Sequence, residues 1–468
     1  MRRAGLAVLA AILLTSCTVG PDYKRPVMNA PPQHRFVEGP AQAESIADAP
    51  WMNVFSDPVL QDLIHTAIAN NLDLRIAAAR VDEARARAGI AKSFLYPTVD
   101  AVGGYVASQG SRNAEPPQPP NESESRHFQN WNLGAQLSWE LDAFGRIHRQ
   151  SEAATAVFLS TEQGRRAVLV SLVGDVSSTY FRLRELDLQL EIARRTLGIN
   201  DQTVSYFQDR LQGGVSNRLE VDSVRANRAV TAATIPQIEQ DIALTENALS
   251  ILLGRAPGPI ARGRTLADQQ TPPMVPPGVP ATLLERRPDV VEAEQLLVAA
   301  NADVGAAKAL FFPTINLTGF LGGLSGDLTT LLSGSSIVWT AGVTALQPLY
   351  NAGRNKRNYE AAQAQYQQAL AAYQKSALTA YREVADALIA IQKLREVRTQ
   401  QEEGISALQD AADLSRDRYQ SGLASYIEIL IADQNLFQQQ LQLAQTKGAE
   451  LRAVTDLYRS LGGGWQQP

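Results

Sequence analysis

Ala88-Gly89-Ile90-Ala91-Lys92-Ser93-Phe94-Leu95-Tyr96-Pro97-Thr98-Val99 is repeated in kind as Val304-Gly305-Ala306-Ala307-Lys308-Ala309-Leu310-Phe311-Phe312-Pro313-Thr314-Ile315, 216 positions on. In both copies a helix-compatible pattern runs into a bulky apolar triplet, halts at proline, and resumes as alternating residues. Proline lacks the N–H that a helix interior needs and drives the residue before it towards extended geometry. Each copy therefore reads as a joint between a helix and a strand. A chain that makes the same joint twice has a duplicated architecture.

Working outward from the first joint, Leu60, Leu63, Ile64, Ala67, Ile68, Leu72, Leu74, Ile76 and Val81 follow a spacing near 3.6, which predicts one helix from about Val59 to Pro97. After the joint, Val99, Ala101, Gly103, Tyr105 and Ala107 share one face of a strand. A proline-rich polar loop follows at Ser111–Arg126. Leu133, Ala135, Leu137, Trp139 and Leu141 then alternate with Asn132, Gln136, Ser138, Glu140 and Asp142. That is a strand of roughly ten residues, the length that crosses a bilayer when tilted. From Gly145 to about Gln212 no proline intervenes, which would give on the order of 100 Å of helix. Gly213-Gly214 breaks it, and a second helix spans about Leu219–Leu253, with Pro236 expected to kink it.

The second half follows the same plan. A helix from Pro288 to Leu310 meets the second joint, and Ile315, Leu317, Gly319 and Leu321 alternate. Gly322–Ser336 reads as a Gly/Ser-rich loop, and Trp339, Ala341, Val343 and Ala345 alternate again. Helices then span Arg354 to about Gln420 and, after Gly422, about Ile427–Leu461. Beyond the loop the register of repetition changes to 208: Trp131, Gly145, Arg149, Glu152, Asp209, Gly214, Glu220 and Leu253 recur as Trp339, Gly353, Arg357, Glu360, Asp417, Gly422, Glu428 and Leu461. The two loops thus differ by 8 residues, and the register holds on both sides. The expected organisation is a leading signal at 1–16, an extended leader at 17–55, a first repeat at 56–262 with strands near 97–110 and 128–143, a connector at 263–282, a second repeat at 283–464 with strands near 313–322 and 337–348, and a short tail at 465–468.

The chain carries a formal charge of −5, or −7 once Arg2 and Arg3 are removed with a leader, which argues against nucleic acid as a partner. Four histidines and one cysteine supply neither a metal cluster nor a disulfide framework. Arg2-Arg3 followed by apolar Ala4–Leu14 has the layout of an export signal and is too short to span a bilayer. It runs into Leu14-Thr15-Ser16-Cys17, which resembles a bacterial lipobox with Cys17 as the acylated mature N-terminus. Thr18, in place of Asp, by the same resemblance favours the outer membrane. Several acyl chains would anchor such a chain stably.

Each half supplies two amphipathic strands of membrane-spanning length. In lipid every backbone N–H and C=O must be paired, so four strands with two open edges must close with further copies into a barrel. Closure alone leaves the number of copies open. The long helices, rich in Ala and Gln, suit a wall with one wettable face outside the membrane. A soluble coiled-coil stalk would leave the strands and the lipobox unexplained.

These residues resemble those of the TolC-like outer membrane efflux protein family, in its NodT-type lipoprotein branch serving RND-type tripartite pumps. The resemblance rests on Cys17-Thr18-Val19-Gly20-Pro21-Asp22-Tyr23-Lys24-Arg25-Pro26, on Leu284-Glu285-Arg286-Arg287-Pro288-Asp289, on both Pro-Thr joints and on Gly462-Gly463-Gly464-Trp465. It covers essentially all of the mature chain. It implies an α+β membrane protein: duplicated helix-strand-strand-helix halves, four strands per chain in a trimeric 12-stranded β-barrel, and a long α-helical periplasmic barrel continuous with it. It also implies a passive duct in the outer membrane of a Gram-negative bacterium, partnered by a periplasmic adaptor and an inner membrane RND transporter, exporting drugs or other small molecules.

In the family the periplasmic end closes where helix pairs turn, here Asp209–Asp222 and Asp417–Asp433. By resemblance the gate candidates are Ile427, Glu428, Asp433, Asp417 and Tyr419. Ile431 stands where many relatives carry a pore-lining Asp, so the expectation moves to one Glu428 per chain, facing the axis beside Ile427. A ring of carboxylates would attract cations and repel itself. Pro97, Pro313, Tyr96, Phe311 and Phe312 are expected to mark the seam between tunnel and barrel, with the three aromatics in a girdle at the water–lipid boundary.

No nucleophile elbow, zinc-protease helix, phosphate loop or Ser-x-x-Lys motif occurs, and His34, His65, His127 and His148 are scattered, so neither an enzyme nor a cofactor is expected. The alternatives are an exit duct for type I protein secretion and a non-channel periplasmic scaffold. The lipobox and the Gly-Pro-Asp-Tyr opening favour small-molecule efflux.

Overall fold

The computed structural model describes residues 18–36, 50–109, 127–269 and 280–463. Its elements run α1 (Trp51–Val54), α2 (Pro58–Asn70), α3 (Leu72–Ser93), β1 (Thr98–Gln109), β2 (His127–Leu141), α4 (Arg146–Gln212), α5 (Arg218–Leu252), α6 (Leu283–Arg286), α7 (Pro288–Ala309), β3 (Thr314–Ser325), β4 (Ile337–Leu346), α8 (Arg354–Gln420) and α9 (Tyr426–Ser460). The expected signal, its Cys17, the loop at 110–126 and the tail at 465–468 lie outside the described residues.

The chain forms two compact units, and neither coincides with one repeat. One gathers the described residues within 1–26, 81–160 and 293–372, and the other those within 27–80, 161–292 and 373–468. The first holds a single antiparallel sheet in the order β1-β2-β3-β4. Val99 pairs with Leu137, Ala135 with Leu321, and Leu321 with Trp339. Odd-numbered residues thus pair with odd-numbered ones throughout, and Val99, Tyr105, Leu133, Leu137, Leu321, Trp339 and Val343 share one exposed face. That face is apolar, while Asn132, Gln136, Ser138, Glu140, Asn316, Thr318 and Thr344 share the other. Among the described residues β1 and β4 each pair on one side only.

β3 reaches Ser325, three residues past the expected end at 322, because the longer β2 continues to offer partners: Ser325 pairs with Trp131. Gly134 faces Gly322 there, where a Cβ on Gly134 would come within 2.8 Å of the Gly322 Cα. The second unit is helical, with its largest core cluster around Leu60, Ile64, Val176, Tyr180, Leu183, Leu249 and Leu253.

One helix expected before Pro97 is two. Asn71 ends α2 through its backbone N–H to the Ala67 carbonyl and starts α3 through its Oδ1, which accepts from Leu74 N at 2.9 Å. The same side chain donates to the Leu252 carbonyl at 3.0 Å, so the break is also a fastening point. α5 continues through Pro236 without a helix break.

Asp57 caps α2 from a fully buried position. Its carboxylate accepts from Tyr180 Oη at 2.8 Å, Gln269 Nε2 at 2.7 Å, and the backbone N–H of Val59 and Arg264 at 3.0 Å. Burial alone would raise its pKa, yet these four donors outweigh burial and hold it below the usual value.

Candidate gate at the helix turns and the strand seam

The two long helix pairs turn at Gly213–Asn217 and Ser421–Ser425. Gly214 and Gly422 both stand at φ +72°, the left-handed conformation that closes a helix with backbone bonds back to its last turn. Val215 N donates to the Arg210 carbonyl at 2.9 Å, and Leu423 N to the Arg418 carbonyl at 2.8 Å. These turns are repeats of each other in geometry as well as in sequence.

Their side chains differ. Glu220 closes a capping box with Asn217 at the start of α5 and accepts from Ser216 Oγ at 2.5 Å. Its repeat, Glu428, has no such role, because Ser425 makes no side-chain cap. Glu428 is half-exposed instead, with Arg418 Nε 3.7 Å from its Oε2, and Ile427 beside it is 60% exposed. The expected carboxylate therefore carries a guanidinium at its shoulder. Asp433 is mostly covered and pairs with Arg416 at 2.5 Å, which also reaches Asp413 at 2.7 Å. Burial pushes the Asp433 carboxyl up, and Arg416 only partly opposes this. Asp417 is exposed.

Tyr419 belongs to an aromatic cluster across the two turns. Its ring lies 5.7 Å from that of Phe207 and 6.2 Å from that of Tyr426, and the Phe207 and Tyr426 rings meet at 4.4 Å. Burial raises the pKa of both tyrosines. Arg210 stacks over Tyr206 and Tyr419, 5.6 Å from each ring centre. This arginine, with Phe207, Arg416 and Arg418, was not anticipated from sequence. The available signal was the density of Tyr, Phe and Arg within about two turns of both glycine breaks. The arrangement clamps one helix pair to the other by tilted and edge-on rings and leaves Glu428 and Ile427 exposed at the second turn.

In the sheet-bearing unit both joints form as expected. α3 ends at Ser93 and β1 starts at Thr98, while α7 ends at Ala309 and β3 starts at Thr314, so Pro97 and Pro313 each occupy the last position before a strand. Tyr96 is 61% and Phe311 44% exposed. Phe312 is instead half-buried and stacked on Phe144, with centroids 4.9 Å apart and planes at 22°. The leader docks at this seam. Val19 N donates to the Phe144 carbonyl at 3.2 Å, Asn301 Nδ2 to the Pro21 carbonyl at 2.9 Å, and Arg149 to the Asp22 carboxylate at 2.8 Å. Tyr23 Oη and Arg25 both donate to Glu294, at 3.1 and 2.7 Å. Gly20, at φ +124°, has no room for a side chain, since a Cβ would come 2.5 Å from the Gly305 Cα. Each residue of Gly20-Pro21-Asp22-Tyr23 and Arg25 thus has a structural task.

Among the described residues no cluster of His, Cys, Asp or Glu could hold a metal ion, and no helix is long and apolar enough to cross a membrane.

Residues 63–255 and 279–463 match the model of the family described as outer membrane efflux protein. The chain is 35% identical over 465 residues to a cation efflux system protein, CusC, of Escherichia coli O6:H1, covering 99% of both chains. It is 34% identical to a probable outer membrane lipoprotein, SilC, of Salmonella typhimurium, covering 98% of both. Among solved structures, the outer-membrane channel OprN superposes with a TM-score of 0.90 at 30% identity, covering 96% of this chain and 100% of that one.

Proposed function

The chain belongs to the outer membrane efflux protein family, and from that premise we propose a homotrimeric exit duct that works with a periplasmic adaptor and an inner membrane RND transporter. It is an outer membrane efflux channel. Three copies would contribute twelve strands, enough for a barrel with a lumen. Transport through it is passive: the lumen offers wet walls, and the energy comes from the transporter. On this reading Cys17 carries the acyl anchor, and the turns at Gly214 and Gly422 bear the gate, with Glu428 and Ile427 exposed towards the pore and Tyr419 holding the helix pairs closed.

The observation that carries this reading is the four-stranded sheet, with one apolar face, one polar face and two open edges. Such a sheet is viable in lipid only when both edges are paired. The test is single-channel recording of the full-length protein in a planar bilayer. Conductance confined to the trimeric fraction is expected. A trimer that does not conduct would end the duct reading, and conductance from monomer would end the trimer. Crosslinking followed by co-purification should bring down an adaptor and an RND transporter, and their absence would remove the tripartite assignment.

A further inference from the structure

We infer that a second copy of this chain seats on the open β4 edge in one fixed register, with Ala341 opposite the partner's Ala107, Val343 opposite the partner's Tyr105, and Arg357 over the partner's Gly89. This rests on the oligomeric channel proposed above and adds the register and the helix contact to it.

The internal repeat supplies the geometry. The shift of 216 positions ahead of the loops and 208 after them carries the β1–β2 ladder onto the β3–β4 ladder: Thr98 opposite Ser138 becomes Thr314 opposite Leu346. Even the side-chain bonds repeat. Thr98 Oγ1 donates to the Ser138 carbonyl at 3.1 Å, and Thr314 Oγ1 to the Leu346 carbonyl at 3.4 Å. Trp139 Nε1 donates to the Leu95 carbonyl at 3.1 Å, and at the equivalent place Gln347 Nε2 donates to the Phe311 carbonyl, also at 3.1 Å. The repeat therefore preserves position to the level of single hydrogen bonds while side chains change.

Among the described residues the β2–β3 ladder has no second instance, because β4 and β1 are both edges. Its image under the same shifts is β4 against the β1 of another copy. Leu133 opposite Gly323 becomes Ala341 opposite the partner's Ala107, and Ala135 opposite Leu321 becomes Val343 opposite the partner's Tyr105. This image keeps odd residues against odd, so the apolar face continues unbroken across the junction.

The helices flanking the ladder agree. Beside β2–β3, Ala153 and Ala156 of α4 are buried with Ala302 of α7. Gly305 lies against Arg149, where a Cβ would come within 3.0 Å of Arg149 Nε. Their images Ala361, Ala364, Ala86 and Gly89 are all exposed, and a Cβ on Gly89 would meet nothing within 4 Å. The Arg149 side chain is 5% exposed and that of its image Arg357 is 79%. Ala153, Ala156, Ala302, Gly305 and Arg149 of the first junction thus have exposed images at the second, whereas Ala299, buried with them, maps to Glu83.

The test is disulfide crosslinking of the full-length protein in its membrane. Directly opposed residues in an antiparallel ladder have Cα atoms about 4.5–5.5 Å apart, within disulfide range, and diagonal neighbours about 7–8 Å apart. The double variant Ala107→Cys/Ala341→Cys should give covalent dimers and trimers under oxidation, several-fold more than Tyr105→Cys or Gln109→Cys paired with Ala341→Cys, and more than any single-cysteine parent. If an offset pair crosslinks best, the register is wrong while the oligomer stands. If no pair crosslinks in a preparation that sizes as a trimer, edge pairing is wrong. A chain that purifies only as a monomer would sink this inference together with the trimer. For the helix contact, Gly89→Phe should lower the trimer fraction several-fold at unchanged helix content, and an undiminished trimer would remove Arg357 over Gly89.

Discussion

Glu428 and Arg418 lie close enough to attract and exposed enough to be screened, so their pair contributes little to folding. An exposed ion pair is worth roughly 0–1 kcal/mol. Glu428→Ala should therefore leave the melting temperature nearly unchanged, while raising closed-state conductance or weakening cation preference in planar bilayers. No change in either reading would take Glu428 out of the gate. Asp57 is the opposite case, buried and holding four donors. Asp57→Asn should cost about 2–3 kcal/mol, since bonds to a charged group contribute about 1.5–3 kcal/mol and donors left unpaired in the interior add to that. Because folding lowers this carboxyl's pKa, its stabilisation is complete above the unfolded value near 3.9 and is lost as pH falls through the lowered folded value. The melting gap between wild type and variant should accordingly close in acid, and a gap that widened there would refute the assignment. Neither site was equally legible in sequence. Glu428 could be picked out by resemblance to the family's gate positions, but the capping box that occupies Glu220 and spares Glu428 depends on Asn217 having become Ser425. Asp57 could not be singled out, because its partners Tyr180, Arg264 and Gln269 lie more than a hundred positions away.

Among the elements, the joints were the most legible, because proline acts locally and both strands begin one residue after it. Long helices without proline were equally plain. Asn71 was not, since the apolar period runs through it undisturbed and only its bonds to Leu74 and Leu252 split the helix. The extension of β3 was hidden for a related reason. Gly322 and Gly323 look like loop until the partner strand supplies Gly134 and Leu133 opposite them. Helix ends offer a comparison within one molecule. Gly254 and Gly422 both end helices at positive φ, +68° and +72°. A Cβ on Gly254 would come 2.3 Å from the Asn70 carbonyl oxygen, whereas one on Gly422 would meet nothing within 4 Å. Gly422→Ala should cost only the left-handed strain, about 1 kcal/mol. Gly254→Ala should cost more, about 2–4 kcal/mol, because backbone must also shift. Equal melting temperatures for the two variants would contradict the packing described at Asn70.

For the molecule as a whole, the start of the leader, residues 18–26, is a part of the sheet-bearing unit and not a free tether. Arg149 holds Asp22 and Glu152 from a buried position, and the two carboxylates outweigh the cost of burial and keep its guanidinium charged. Arg149→Met should change stability by only about 0–1 kcal/mol, because Asp22 is left in water and not as a buried charge, and should release the leader's start, which limited proteolysis would detect as faster cleavage near Tyr23. Cleavage at the wild-type rate would mean that Asn301 and Glu294 hold it unaided. The pairing of odd residues with odd throughout the sheet has a last consequence, for how the gene can change. Reading along any strand, an inserted or deleted residue inverts every side chain beyond it, turning lipid-facing leucines into the water and glutamines into the lipid. Changes of two residues restore the parity, and changes in the loops never disturb it. The ladder thus works as a parity check on the chain: length may drift freely at the loops, where the halves already differ by 8 residues, and is locked to even steps inside the strands.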